Sequence, residues 1–174
     1  MIRTAVDKVA GVVFAPATPA DAAALAELRT AAARELTERF GRGHWSGETT
    51  ERGAVAELRY GQTWIARQRG VVIATFHLGT RKPWAIDVTY FTACKQPLYL
   101  TNMAVRPDLQ HRGFGRKCVD EAVRIATAWP ADAIRLDAYD AEAGAGSFYG
   151  KCGFTETGRT SYRSVPLVYY ELVL

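Results

Sequence analysis

The sequence predicts an α/β (α+β) domain in which a central mixed sheet carries helices on both faces. Three observations lead there. A strand, a glycine-marked turn, a helix and a second strand follow one another between Leu98 and Tyr139, the order of a β-α-β unit. Around that unit, apolar stripes of helical spacing alternate with β-rich runs. The composition, 48% hydrophobic and 23% charged in 174 residues, belongs to a chain that can bury a core without disulfides or a structural metal. Residues 1–174 are therefore expected to form one domain.

Met1 to Phe14 carries Arg3, Asp7 and Lys8 among its apolar residues and has no continuous apolar region, so it does not read as a secretory signal. Thr18-Pro19-Ala20-Asp21 reads as a helix start, with Thr18 as N-cap, Pro19 at the first helical position and Asp21 placed to answer the cap. Leu25, Leu28, Ala32 and Leu36 then mark one apolar stripe, ending near Gly41-Arg42-Gly43. A weaker helix is expected from Thr50 to Arg59, with Val55 and Leu58 inward. Thr63 to Gln68 and Val71 to Leu78 read as a hairpin turning at Arg69-Gly70. Gly79 to Pro97, interrupted by two prolines, reads as a loop with a short strand.

Leu98 to Val105 is strand-like and ends before Pro107, which cannot donate to a ladder. From Gly113 the period changes: Val119, Ala122, Val123 and Ala126 form the buried stripe of a helix that stops at Trp129-Pro130. Ile134 to Tyr139 is the next strand and Ala145 to Lys151 a short helix stopped by Gly153. Phe154 to Arg159 and Leu167 to Leu174 close the sheet. Exposed strand edges near the C-terminus leave a homodimer open.

Several function classes fall away on composition. Cysteines 94, 118 and 152 cannot all pair and form no metal-binding spacing, which argues against a disulfide scaffold and a zinc module and suits a reducing cytoplasm. No metal is expected, because His44, His77 and His111 converge on no ligand spacing. The longest apolar run, Val71 to Phe76, is too short to span a membrane. A net charge of +4 without a basic stripe suits a small polyanion better than a nucleic-acid duplex.

The informative stretch runs from Leu98 to Arg116, a strand that turns through Gln110-His111-Arg112-Gly113-Phe114-Gly115 into a helix. The first amides of a helix have no intrahelical partner and carry the positive end of its dipole, so a glycine turn there can wrap a pyrophosphate. Gly113 and Gly115 would admit the ligand closely, and Arg112 and Arg116 would add charge. The simpler reading is a tight strand-to-helix turn. A Walker loop is excluded because no Gly-Lys-Ser/Thr follows, and a Rossmann fingerprint because Cys118 stands where a third glycine is needed.

Two motifs occur together in order: Gln110-x-x-Gly113-x-Gly115 after Met103-Ala104-Val105-x-Pro107, and Phe148-Tyr149-x-x-x-Gly153-Phe154 about forty residues on. In them the sequence resembles the GNAT superfamily of acyl-CoA-dependent N-acyltransferases. The resemblance implies a GNAT-like central mixed, mostly antiparallel sheet with a splayed parallel strand pair, here Leu98–Val105 and Ile134–Tyr139. It implies acetyl-CoA as co-substrate, its pyrophosphate on the amides from His111 to Arg116 and its pantetheine arm along Met103, Ala104 and Val105. Pantetheine carries amides of its own, which an opened strand edge can satisfy. Glu142 stands seven residues before Tyr149, where the family often has asparagine, and an ionised carboxylate cannot donate to a pantetheine carbonyl.

Acetyl transfer to an amine needs a neutral nucleophile, a polarised thioester carbonyl and a proton for the departing thiolate. The resemblance assigns the proton to Tyr149, whose alternative role is packing, and the carbonyl oxygen to a backbone N–H near Met103. No general base is visible in the strand, where Tyr99, Thr101 and Asn102 are all poor bases. A water leading to Asp87, Asp137 or Asp140 is the expected route. Trp84, Thr101 and the aromatic residues His44-Trp45, Tyr90 and Phe91 are expected on the acceptor side, while Cys118 and Cys152 are expected to be buried and inert. The expected reaction is direct acetyl transfer to a primary amine of a small molecule or peptide; the alternative is a non-catalytic acyl-CoA-binding or regulatory module.

Overall fold

The computed structural model describes residues 11–174. Residues 1–10, part of the stretch read above as lacking a secretory signal, lie outside the described residues. Four local signals set the first half of the chain. The Thr18 amide donates to the Asp21 carboxylate at 2.8 Å and a 3-10 turn over Pro19–Asp21 leads into α1 (Ala22–Phe40), so the expected capping box is formed. Gly41, at φ 79°, ends that helix. The Thr50 hydroxyl accepts from the Gly53 amide and starts α2 (Glu51–Glu57). Arg69 and Gly70 take φ 52° and 80°, the two-residue turn whose twist matches an antiparallel pair, and they join β2 (Gln62–Gln68) to β3 (Val71–Gly79).

One element was not anticipated: β1 (Val12–Pro16) pairs antiparallel with β2 as an edge strand. Its run is short and mixed, so it carries no clear alternation of its own. The short strand expected within Gly79–Pro97 is absent, and a single 3-10 turn at Val88–Tyr90 stands in its place. Ile86 and Phe91 from this connection pack on Tyr99 and Tyr169, so its apolar residues serve a face rather than a strand.

The β-α-β unit is β4 (Pro97–Val105), α3 (Phe114–Ala128) and β5 (Ala133–Tyr139). Then come α4 (Gly146–Lys151), β6 (Thr155–Tyr162) and β7 (Val165–Val173). Arg163 and Ser164, at φ 50° and 66°, turn the last hairpin. The sheet runs β1-β2-β3-β4-β5-β7-β6, and every neighbouring pair is antiparallel except β4 and β5.

Strand alternation divides the core. Phe76, Leu98, Leu100, Ile134, Leu136 and Val168 face α3 and α4 and pack with Phe114, Val119, Ala122 and Tyr149. The opposite face carries Ile65 beneath Ala22, Leu25 and Ala54 of α1 and α2. Leu25 is fully buried, a placement that stabilises by about 1.5–3 kcal/mol. Toward the end of α1 the stripe loosens, and Ala32 and Leu36 are only half-buried.

Candidate active site

The β4–β5 pairing is brief. Pro97, Leu98 and Tyr99 oppose Ala133, Ile134 and Arg135, and there the parallel pairing ends. Its ending coincides with an irregularity in β4. His77 opposes Thr101 and Thr75 opposes Ala104, so Phe76 alone spans Asn102 and Met103. Such a bulge bends its strand and leaves the extra residue unpaired. Asn102 accommodates it with φ 51°, a left-handed conformation that asparagine tolerates better than most residues. Ala104 and Val105 therefore keep β3 on one side, and among the described residues Met103, Ala104 and Val105 have no strand on the other. The opening predicted between Leu98–Val105 and Ile134–Tyr139 lies in this place.

Beside it, the chain passes through the glycine turn. His111 and Gly113 take φ 58° and 90°, and Gly113 leads into α3. Among the described residues, none of the amides from His111 to Arg116 donates to a backbone carbonyl; the first such bond is from Lys117 to Gly113. Six amides and the positive end of a fifteen-residue helix are thus available for an anion. The Gln110 side chain donates to the Val105 carbonyl at 3.2 Å, fixing the turn against the end of β4. Phe114 is buried beneath it. Gly115 has a packing reason: a Cβ there would meet the Phe148 ring at 3.2 Å, so the two motifs touch. The arginines differ. Arg112 is exposed and has no ion pair among the described residues, whereas Arg116 binds Asp120 at 3.0 Å and the Lys151 carbonyl at 3.0 Å.

Tyr149 sits on α4, buried among the rings of Phe148, Phe154 and Tyr170. Its hydroxyl has no hydrogen-bond partner among the described residues. Burial, with Cys152 and Asp137 nearby, pushes the phenol above its ordinary range and keeps its proton in place. Burial also pushes the Cys118 thiol up to about 12 and raises Cys152, consistent with the inert roles expected of both.

The three candidate carboxylates are now distinct. Asp87 is exposed and caps the 3-10 turn through Thr89, and Asp140 pairs with Arg159 at 2.8 Å. Asp137, on β5 just past its last pair with β4, has no ion pair among the described residues, and burial raises its pKa. Its neighbours on the same strand face are occupied. Arg135 is bound to Glu171 at 2.9 Å and to the Thr92 carbonyl of the 80–96 connection. Tyr139 donates to the His44 carbonyl at 3.2 Å and meets Trp45 edge-on, which brings the α1–α2 connection over it. Asp137 is left between these two covers.

The expected aromatic cluster divides accordingly. His44 and Trp45 rest on Tyr139, Tyr90 and Phe91 rest on Tyr169, and Trp84 stands 80% exposed with no ring partner among the described residues. Thr101 is half-buried opposite His77. Sequence reasoning did not single out Glu57, which links Arg29, His77, Thr63 and Asn102. No spacing signal marks it, since its partners come from four other elements. A groove of about 780 Å³ lies along α1, lined among others by Glu27, Thr30, Arg34 and Glu51, but none of its lining comes from β4, β5 or the glycine turn. Among the described residues no helix is long and apolar enough to cross a membrane.

Structures of similar fold are N-acetyltransferases. The ribosomal-protein-alanine N-acetyltransferase from Brucella melitensis is 16% identical with a TM-score of 0.70, over 93% of this chain and 99% of that one. PaiA N-acetyltransferase from Thermoplasma acidophilum, in complex with coenzyme A, is 15% identical with a TM-score of 0.70, over 92% and 99% of the two chains. A GCN5-related N-acetyltransferase from Rhodopseudomonas palustris is 22% identical with a TM-score of 0.69, over 93% and 95%. No curated protein matches the chain. The model of the acetyltransferase (GNAT) family matches residues 26–154, taking in α2, the kinked strand, the glycine turn and Tyr149. The chain belongs to the GNAT family of acetyltransferases.

Proposed function

We propose that this acetyltransferase moves an acetyl group from acetyl-CoA directly to a primary amine of a small molecule or peptide. One observation carries the reading: β4 parts from β5 after Tyr99 and Arg135, beside six amides without backbone acceptors. The pyrophosphate rests on residues 111–116 with Arg112 alongside, and Gln110 holds the turn. Pantetheine lies along Met103, Ala104 and Val105 as a strand would. The whole chain acts as one domain in the cytoplasm, and no metal takes part.

The amine approaches from the α1–α2 face, past Thr101 and the segment that carries Trp84. Asp137 is the carboxylate best placed to take its proton, directly or through a water, because Asp87 and Asp140 are already engaged. Amine nitrogen then bonds to the thioester carbon, the oxygen is met by the Met103 amide, the carbon–sulfur bond breaks, and Tyr149 returns a proton to the thiolate. A desolvated Asp and a phenol held protonated suit those opposite duties. Glu142 is exposed and leaves the pantetheine to backbone contacts.

The test is calorimetric titration with acetyl-CoA together with thiol release over a panel of amines. Micromolar binding and thiol release with at least one amine are expected. Arg112→Glu, an exposed change, should weaken coenzyme binding about tenfold or more, as expected when a favourable charge is reversed. A variant at Gly115 would be a poorer probe, since it collides with Phe148. Absence of binding to the wild-type protein overturns the reading, and binding without thiol release supports a non-catalytic module.

A further inference from the structure

The residue that bends β4 is held from outside the strand. The Asn102 amide nitrogen donates to Glu57 Oε2 at 3.0 Å, and a carboxylate can only accept, so the orientation of the asparagine amide is fixed. Glu57 is itself held. Arg29 of α1 donates to it at 2.6 Å and 3.1 Å through two guanidinium nitrogens, His77 Nδ1 of β3 lies 3.0 Å from Oε1, and the Thr63 hydroxyl of β2 donates at 3.2 Å. His77 Nδ1 and Thr63 are also hydrogen-bonded to each other at 2.9 Å. Arg29, Thr63 and His77 are buried, so this carboxylate is locked, while Asn102 is exposed at the mouth of the opening.

A left-handed conformation in a residue with a side chain is strained, and it persists where the surroundings determine it. Here the determining contact comes from α2, which among the described residues makes no hydrogen bond, ion pair or ring contact with the glycine turn or Tyr149.

Resting on the acetyltransferase reading above, we infer that Glu57 is a positioning residue: by gripping Asn102 it sets the bulge that turns the Met103 amide toward the reacting thioester. The Asn102 amide oxygen, which accepts from no donor among the described residues, is left facing away from Glu57 and is available to an N–H of the incoming amine. The pair acts on the Met103 amide at the transfer step, while coenzyme capture rests on residues 111–116 and on Ala104 and Val105, whose pairing with β3 does not involve Asn102.

The inference separates kcat from coenzyme affinity. Asn102→Ala removes the grip and disfavours the positive φ. Asn102→Gly removes the grip but takes the positive φ freely. Asn102→Asp keeps the shape and sets a second carboxylate against Glu57. In saturating acetyl-CoA, Asn102→Ala and Asn102→Asp should lose tenfold or more in kcat with the coenzyme Kd unchanged, and Asn102→Gly should recover a measurable part of the loss. Glu57→Gln should reproduce the kcat loss. Should it fail to fold, the Asn102 variants decide alone, because Asn102 is exposed. Wild-type kcat in Asn102→Ala and Asn102→Asp, or a coenzyme Kd that weakens in step with kcat, overturns the inference. A wild-type protein that neither binds nor turns over acetyl-CoA instead overturns the reading on which the inference rests, and removes it as well.

Discussion

Tyr149 and Asp137 stand in environments that push both toward their protonated forms, with opposite consequences. For the phenol, burial keeps in place the proton that, in the proposed transfer, goes to the leaving thiolate. Tyr149→Phe should lower kcat by about 10²-fold with coenzyme binding retained, the size expected when a proton donor is removed. An unchanged kcat would leave Tyr149 with its packing role alone. For Asp137, burial raises the pKa above its ordinary value, so the ionised form that the proposed base requires accumulates as pH rises through that raised value. The rate should therefore show an acid limb, low below the Asp137 pKa and rising above it. Asp137→Asn should lower kcat by about 10²-fold and abolish that limb. A limb that survives in the variant would move the base elsewhere.

At the scale of elements, the seven-residue helix α2 does more than its length suggests. Glu57 near its end joins α1, β2, β3 and β4. Burial alone would raise the Glu57 carboxyl, but hydrogen bonds from His77 and Arg29 and their charges outweigh it and bring it from 4.5 to about 2. A carboxyl with a lower pKa folded than unfolded stabilises the fold above its unfolded value, and that contribution is lost as pH falls through the folded one. The shift corresponds to about 3 kcal/mol. Stability from denaturant unfolding should thus decline between pH 4.5 and 2, and Glu57→Gln should be less stable at pH 7 with a shallower decline. Parallel curves for the two proteins would show that the carboxylate contributes no such linkage.

Legibility in the sequence also varies by element. The capping box at Thr18 and Asp21, the Arg69-Gly70 turn and the glycine turn were readable because their cause is local: a few adjacent residues determine the backbone. The 80–96 connection was misread in part because its apolar residues answer to distant partners. The Tyr169 hydroxyl bonds Ala85 and Asp87, and the Arg135–Glu171 pair holds Thr92. The candidate site divides the same way. The glycine turn and Tyr149 lie in contiguous motifs, whereas the separation of Asp137 from Asp87 and Asp140, and the grip of Glu57 on Asn102, arise only when several strands and helices meet.

Across the whole molecule, one seam stands out. The pairs β1–β2, β2–β3, β3–β4 and β6–β7 join successive strands, so the sheet consists of two antiparallel arms. Among the described residues the strands of the two arms pair where β4 and β5 run parallel, across the crossover 106–132, and that pairing spans three residue pairs. Two-residue turns close the β2–β3 and β6–β7 pairs, whereas the parallel pair is closed by a crossover that carries a helix. A sheet built this way keeps its shortest pairing beside an open strand edge, and in the proposed complex an extended, amide-bearing guest would supply the strand that β5 withholds from β4.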